Sequence, residues 1–142
     1  MSRIVYIENG KARLVVPVID DMEKVIQKSI PTGCEYAVVT ENDLPADKRL
    51  LESWEISGDS IVVNHTKAKE SAHNVRRAIR NNLFNPWDDI VSKDIPGKKD
   101  SAEIKRQAIR TKDAEIQTNI DNSVSVDEIS SILDNYLTYK VE

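Results

Sequence analysis

The sequence predicts an α+β fold with a small β-rich lobe at residues 1–64 and a helical region at residues 65–142. Two observations predict this division. Short alternating or β-branched runs, separated by turn residues, occupy the first part. Apolar residues spaced by three or four dominate the second part. A chain of 142 residues is long enough for one domain, or for a β-rich lobe joined to a helical one.

The β-rich lobe begins with a predicted hairpin. Residues 3–8 alternate between the two sides of a strand, and residues 12–16 form the return strand. Asn9-Gly10 lies between them and is the strongest short hairpin signal, because a type I′ turn needs positive φ at both central positions. Pro17 prevents the return strand from continuing as an interior strand.

A short helix and a third strand follow the hairpin. Asp20-Asp21 supplies an N-cap for a helix that extends to about Ile30. Residues 31–33, Pro-Thr-Gly, end that helix. Residues 36–40 form a β-branched run that we interpret as a strand.

The lobe ends with a second short hairpin at residues 54–63, which begins at Trp54. Trp54 could be an anchor residue of a protein interface. A single Trp ahead of a hairpin more often pins that hairpin to its neighbour, and we favour this packing role.

The helical region opens with a long helix from about Thr66 to about Asp94, with two adjacent stripes. The apolar stripe contains Ala68, Ala72, Val75, Ile79 and Leu83. The basic stripe beside it contains Lys69, His73, Arg76, Arg77 and Arg80. Asn85-Pro86 should interrupt this helix, and we predict a bend or a restart there.

Two further helices complete the predicted helical hairpin and the short C-terminal helix. The second long helix covers about residues 100–120, starts at Asp100 or Ser101, and has a weaker pattern after Arg110. Ser125 and Glu128 have the spacing of a capping box, which predicts a last helix at about residues 126–138.

Composition excludes several classes of protein. The net charge of −4 argues against a nucleic-acid coat or a polybasic membrane binder. Cys34 is the only cysteine, so we expect neither a disulfide framework nor a thiolate metal site. The N-terminus lacks the apolar core of a signal peptide, and no apolar run approaches a membrane-spanning length.

The residue patterns favour no reaction, so we expect a non-enzymatic protein without a cofactor or metal. The histidines, His65 and His73, do not form an i, i+4 pair and belong to no metal-binding motif. With 4 glycines in the chain, no Gly-rich loop can cradle a phosphate. We interpret Cys34 as a small, partly buried filler residue.

The basic stripe has three interpretations. It could be the solvated side of an amphipathic helix, paired with nearby acids. It could contact an acidic protein partner, or it could bind a phosphate backbone. The stripe lacks interleaved aromatic residues, which argues against single-strand binding.

Five segments of the chain, in this order, carry a family resemblance. The first two are DLPADKR at residues 43–49 and Trp54. The third is the helix with KAKE at residues 67–70, which continues with His73, Arg77, Arg80, Pro86 and Asp88. The last two are EIKRQAIR at residues 103–110 and SVDEI at residues 125–129. Their order resembles that of small tail-associated proteins encoded beside, or fused to, tail fibre genes of tailed bacteriophages and prophages. The chain departs from that pattern at Asn81-Asn82, Phe84-Asn85, Trp87 and Thr111.

The resemblance implies a non-enzymatic structural protein that docks on a phage tail or tail-fibre subunit as a virion component. It also implies a homo-oligomer or an assembly in the virion, with the protein located in the virion tail or, during assembly, in the host cytoplasm. We expect the partner-binding residues to be Trp54, Lys69, His73, Arg76, Arg77, Arg80 and Trp87. Three alternatives remain: a transient tail-fibre assembly chaperone, a small nucleic-acid-associated factor that uses the Arg76–Arg80 face, and an enzyme with an unrecognised carboxylate site.

Overall fold

The computed structural model describes residues 2–141, so Met1 and Glu142 lie outside the description below. The chain is an α+β protein, with small antiparallel sheets in its N-terminal part and helices after them. It divides into two compact units, residues 1–71 (the β-rich unit) and residues 72–142 (the helical unit). The division falls inside a long helix.

Within residues 2–71, the β-rich unit contains five strands, a short α-helix and two 3₁₀ helices. In chain order the elements are β1 (Ser2–Glu8), β2 (Lys11–Val15), α1 (Met22–Ser29), β3 (Tyr36–Thr40), the 3₁₀ helices Glu41–Asp43 and Lys48–Ser53, β4 (Trp54–Ser57) and β5 (Ser60–Val63). β1 lies between β2 and β3 in one antiparallel sheet, and β4 pairs with β5 in a second sheet. Each of these strands was predicted from the sequence.

Local chemistry sets the ends of these elements. Asn9 and Gly10 both have positive φ, 54° and 77°, as the predicted tight turn between β1 and β2 requires. Asp21 caps α1, because its carboxylate accepts a hydrogen bond from the Lys24 N–H at 3.3 Å. β2 stops at Val15, two residues before Pro17.

The main core cluster of the β-rich unit lies on one face of the three-stranded sheet, and Ile4 is buried on the other face. The register pairs Val5 with Leu14 and with Ala37, so residues of all three strands share the face of the main cluster. Its buried cluster consists of Val5, Ala12, Ala37, Val39, Trp54 and Ile61. Trp54 and Ile61 come from β4 and β5, which shows that the second hairpin contributes directly to this core.

The helices of the C-terminal part are α2 (His65–Ser92), α3 (Lys99–Asp121) and α4 (Val126–Leu137). The part of α2 inside the helical unit runs antiparallel to α3. Asp88 pairs with Arg106 near one end at 2.9 Å, and His73 pairs with Asp121 near the other end at 2.7 Å. Arg110 also stacks over the Phe84 ring, 5.8 Å from its centroid. The predicted helical hairpin is therefore present.

The structure differs from the sequence prediction at one point in α2. This helix continues through Pro86, so a restart at Asn85-Pro86 is wrong, whereas a bend there stays a prediction. Asn82 and Pro86 are both exposed, so water can bind the Asn82 carbonyl that Pro86 leaves without an N–H donor. α3 agrees with the predicted helix at about residues 100–120; it begins at Lys99 without a side-chain cap and is continuous past Arg110.

The core of the helical unit is built from small and branched residues. Its buried apolar side chains are Ala72, Ile79, Ala102, Ile109, Ile116, Ile120, Ile129, Leu133 and Tyr136. Two charged residues, Arg76 and Asp113, are buried with them. Within residues 2–141, no helix is both long enough and apolar enough to cross a membrane.

Candidate functional site

A buried ion pair between α2 and α3 is the strongest electrostatic feature of the helical unit. Arg76 is 3% exposed and Asp113 is 6% exposed. The Arg76 Nη1 lies 2.6 Å from the Asp113 Oδ2. Since a buried charge is costly unless it is paired, each of these residues depends on the other to stay inside the unit.

Two further donors complete the environment of Asp113. Tyr136 of α4 donates its Oη hydrogen to the Asp113 Oδ1 at 3.2 Å. Arg80, one turn after Arg76 on α2, reaches the Asp113 Oδ2 at 3.3 Å. Burial, followed by the negative charge of Asp113, raises the pKa of Tyr136 well above its ordinary value. One carboxylate therefore links three helices.

His73 extends this network towards solvent. The Arg76 Nε donates to the His73 Nδ1 at 3.2 Å, and the His73 Nε2 lies 2.7 Å from the Asp121 Oδ1. Because a guanidinium only donates, the Nδ1 must act as an acceptor. In the neutral imidazole the Nε2 then carries the hydrogen and donates it to Asp121.

The geometry of this network suits structural support better than catalysis. A general base needs a free lone pair within reach of a substrate proton. The Nδ1 lone pair of His73 already accepts from Arg76, and the Nε2 faces Asp121. The groups that could move a proton are thus occupied in joining α2 to α3.

The structure separates the residues predicted to bind a partner. His73, Arg76 and Arg80 come together around Asp113. Arg77 is exposed and donates to Asn74 on its own helix at 2.9 Å. Trp87 and Lys69 are half-buried. The partner-binding role of these residues stays a prediction, and the stripe does not form one continuous solvated surface.

Trp54 belongs to the core of the β-rich unit, as its favoured packing role predicted. This burial leaves it poorly placed for the partner-binding role that the sequence also assigned to it. It is 1% exposed. Its indole Nε1 is buried and makes no hydrogen bond to any residue that the structure describes.

A cleft of about 130 Å³ lies beside Trp54 and is also lined by Glu55 and Lys67. The charged groups there bind one another, because Asn64 donates to Glu55 at 2.8 Å and Lys67 lies 3.5 Å from the same carboxylate. The hydrogen bond from Asn64, followed by the charge of Lys67, holds the pKa of Glu55 below its ordinary value.

Sequence reasoning missed Asp113 and Asp121. Asp113 lies on the apolar stripe of α3, between Ile109 and Ile116 and at helical spacing from both. An acid at such a position is the signal that could have identified it, because it must find a basic partner inside the core. Asp121 has no comparable signal, since it ends the helix in an ordinary turn sequence.

A second notable feature is the set of exposed apolar side chains in the β-rich unit. The large ones among its described residues are Val16, Val18 and Ile19 after β2, Tyr36 and Val38 on β3, and Val62 on β5. Val18 is 94% exposed. Exposed apolar side chains of this kind are candidates for contacts with another molecule.

Within residues 2–141, no group of three or more His, Cys, Asp or Glu side chains is placed to hold a metal ion. Comparisons with protein-family models, with curated proteins and with solved structures find no match to this chain.

Proposed function

We propose that this chain is a non-enzymatic docking protein that attaches to another protein through the exposed apolar side chains of its β-rich unit. The single observation that carries the proposal is the exposure of Val16, Val18, Ile19, Tyr36 and Val38. Full burial of a fully exposed Val or Ile side chain contributes roughly 1.5–3 kcal/mol, and a side chain that is already half-buried contributes proportionally less. Val18, at 94% exposed, therefore has the most to contribute.

The partner in this proposal is a tail or tail-fibre subunit of a tailed phage or prophage, and the chain is a virion component. The order of DLPADKR, Trp54, the KAKE helix, EIKRQAIR and SVDEI along the chain supports this partner. In the virion the β-rich unit contacts the tail, and the helical unit keeps its own fold through the network around Asp113.

The nucleic-acid alternative depended on a free basic face at Arg76, Arg77 and Arg80. Arg76 and Arg80 both bind Asp113, and Arg76 is buried. Contacts with phosphates need accessible cations, so these two residues are poorly placed for that role. No observation favours nucleic acid over a protein partner.

The test is mass spectrometry of purified, washed virions from a phage that carries the gene. We expect the chain at a fixed ratio to a tail protein. The variants Val18→Asp and Ile19→Asp should lower that ratio about tenfold, because a buried carboxylate is penalised by well over 1.4 kcal/mol. Val124→Asp is the matched control, since Val124 is a comparably exposed apolar residue of the helical unit.

A chain that is missing from washed virions would contradict the role of a virion component. If phage that lack the gene then assembled no fibres, the chaperone alternative would replace it. Equal incorporation of the Val18→Asp, Ile19→Asp and Val124→Asp variants would contradict docking through this surface.

A further inference from the structure

β3 is an open edge of its sheet. The sheet order places β2 and β3 at the two edges, with β1 between them. The 3₁₀ helix Lys48–Ser53 packs beside β2. On the outer side of β3, by contrast, no strand among the described residues pairs with it.

The backbone groups of Tyr36 and Val38 face this open side. The Ile7 N–H donates to the Glu35 carbonyl at 2.9 Å, so the backbone of Glu35 faces β1. Successive residues of an antiparallel strand alternate between facing the partner and facing away, so Tyr36, Val38 and Thr40 face away. Thr40 agrees with this alternation, because its N–H points to the Asp43 carboxylate at 3.4 Å.

The part of this edge formed by Tyr36 and Val38 lacks several of the features that normally prevent pairing with another strand. Natural edge strands are protected by charged side chains, prolines, bulges or a covering segment. The strand Tyr36–Thr40 contains no charged residue and no proline, and it pairs with β1 in an unbroken register. Tyr36 and Val38 are each 45% exposed on the face opposite the core cluster.

We propose that β3 is a self-association edge, at which two copies of this chain pair antiparallel about a twofold axis that passes between their Ala37 residues. In this arrangement Tyr36 of each copy lies opposite Val38 of the other copy. The outward N–H and C=O groups of these residues bond to one another across the axis. The two sheets then join into one continuous sheet.

The second copy is the favoured occupant because the strand is complementary to itself in this register. Tyr36 opposite Val38 is an aromatic–β-branched cross-strand pair, which stabilises an antiparallel ladder. A twofold interface uses the same patch of both copies, so every favourable pair occurs twice. The register also places Glu35 opposite Val39.

Shifting the axis to Val38 would place Glu35 opposite Glu41 of the other copy, and like charges directly opposite are destabilising. Charge therefore favours the Ala37 axis over the Val38 axis. Tyr36 and Val38 belong to both proposals. Self-association uses their outward backbone groups, whereas tail docking is tested at Val18 and Ile19, so either proposal can fail alone.

The first test is sedimentation velocity of the wild-type chain over a range of concentrations. We expect a reversible monomer–dimer equilibrium. Val38→Lys should raise the dimer dissociation constant at least tenfold, because Lys on an edge strand opposes pairing. Val62→Lys is the matched control, since Val62 has almost the same exposure on β5. Far-ultraviolet circular dichroism checks that both variants are folded.

Disulfide trapping tests the register without disturbing the edge. In a Cys34→Ser background, Ala37→Cys should form a cross-linked dimer under mild oxidation. Residues directly opposite in a non-hydrogen-bonded antiparallel pair have Cα atoms about 4.5 Å apart, which a disulfide can span. Val38→Cys should not cross-link in this register.

Three outcomes would overturn the proposal. One is a wild-type chain that stays monomeric at concentrations on the order of 100 μM. Another is a folded Val38→Lys variant that dimerises as tightly as the wild type. The third is cross-linking through Val38→Cys and not through Ala37→Cys, which would show that another register, or another surface, joins the copies.

Discussion

Asp113 is the residue on which the polar contacts of the helical unit converge. Its two carboxylate oxygens receive Arg76, Arg80 and Tyr136, so the side chain joins α2, α3 and α4. We expect Asp113→Asn to lower the free energy of unfolding by about 3 kcal/mol. The cause is that the Arg76 charge stays buried without its counter-charge. Urea denaturation followed by far-ultraviolet circular dichroism measures this loss.

Glu115→Gln on the same helix is the matched control for Asp113→Asn. Glu115 forms an exposed ion pair with Lys112 at 3.5 Å, and such pairs contribute about 0–1 kcal/mol. The double variant Arg76→Gln/Asp113→Asn should cost less than the sum of the two single variants, because neither charge is left alone. Equal losses in Asp113→Asn and Glu115→Gln would show that the buried pair contributes no more than a surface pair.

At the scale of the residue, the sequence predicted turns and helix caps better than it predicted which side chains are buried. Asn9-Gly10 and Ser125 act as predicted, since a turn and a helix cap depend on neighbouring residues alone. The sequence placed Arg76 on a basic stripe but did not show that it is buried. That burial depends on Asp113, which is distant along the chain, and helical spacing in one segment carries no information about such a partner.

At the scale of the element, α2 raises the question of how a helix accommodates an internal proline. Pro86 lies inside α2. It removes one hydrogen bond to the Asn82 carbonyl and, in a helix interior, costs up to about 3 kcal/mol relative to Ala. We expect Pro86→Ala to raise the free energy of unfolding by about 1–2 kcal/mol, since part of that gain is offset by a more flexible unfolded chain.

Pro96→Ala is the natural control for Pro86→Ala, because Pro96 lies in the turn between α2 and α3. There the substitution should have no effect or should destabilise slightly. Urea denaturation of both variants makes the comparison. A destabilised Pro86→Ala variant would instead mean that the proline ring is important for packing of the helical unit.

Element types were predicted more reliably than their continuity. Each strand and each α-helix was identified from its periodicity and turn residues, because these signals are local. The wrong prediction concerns a restart of α2 at Asn85-Pro86. There the helix extends past a local stop signal. Residue propensities cannot show which polar groups at such points are exposed to water.

At the scale of the whole molecule, the sequence predicted the two units but not the order in which the strands pair. Alternation in one part and helical spacing in the other predicted the α+β class. Neither pattern identified the open edge of β3, because a strand becomes an edge only through the order in which the strands pair. Identifying the proposed self-association edge therefore required the sheet topology.

The stability of the whole chain should depend on pH at both ends of the scale, for opposite reasons. Hydrogen bonds from Lys48, Asn64 and Arg110 hold the pKa values of Glu41, Glu55 and Glu103, respectively, below the ordinary 4.5. Below about pH 4.5 the unfolded chain binds protons before the folded chain does. The stability contributed by these carboxylates is then lost as the pH falls through their folded pKa values.

Tyr136 makes the free energy of unfolding change with pH in the opposite direction. Its pKa is raised by burial and then by the charge of Asp113, whereas the unfolded chain loses this proton near the ordinary value of 10.0. Above about pH 10 the free energy of unfolding should therefore fall as the pH rises. Urea denaturation measured across the pH range tests both the acid and the alkaline loss of stability.

Tyr136→Phe should reduce only the loss of stability above about pH 10. The triple variant Glu41→Gln/Glu55→Gln/Glu103→Gln should reduce only the loss of stability below about pH 4.5. An alkaline slope that Tyr136→Phe leaves unchanged would show that the buried hydroxyl is not its source.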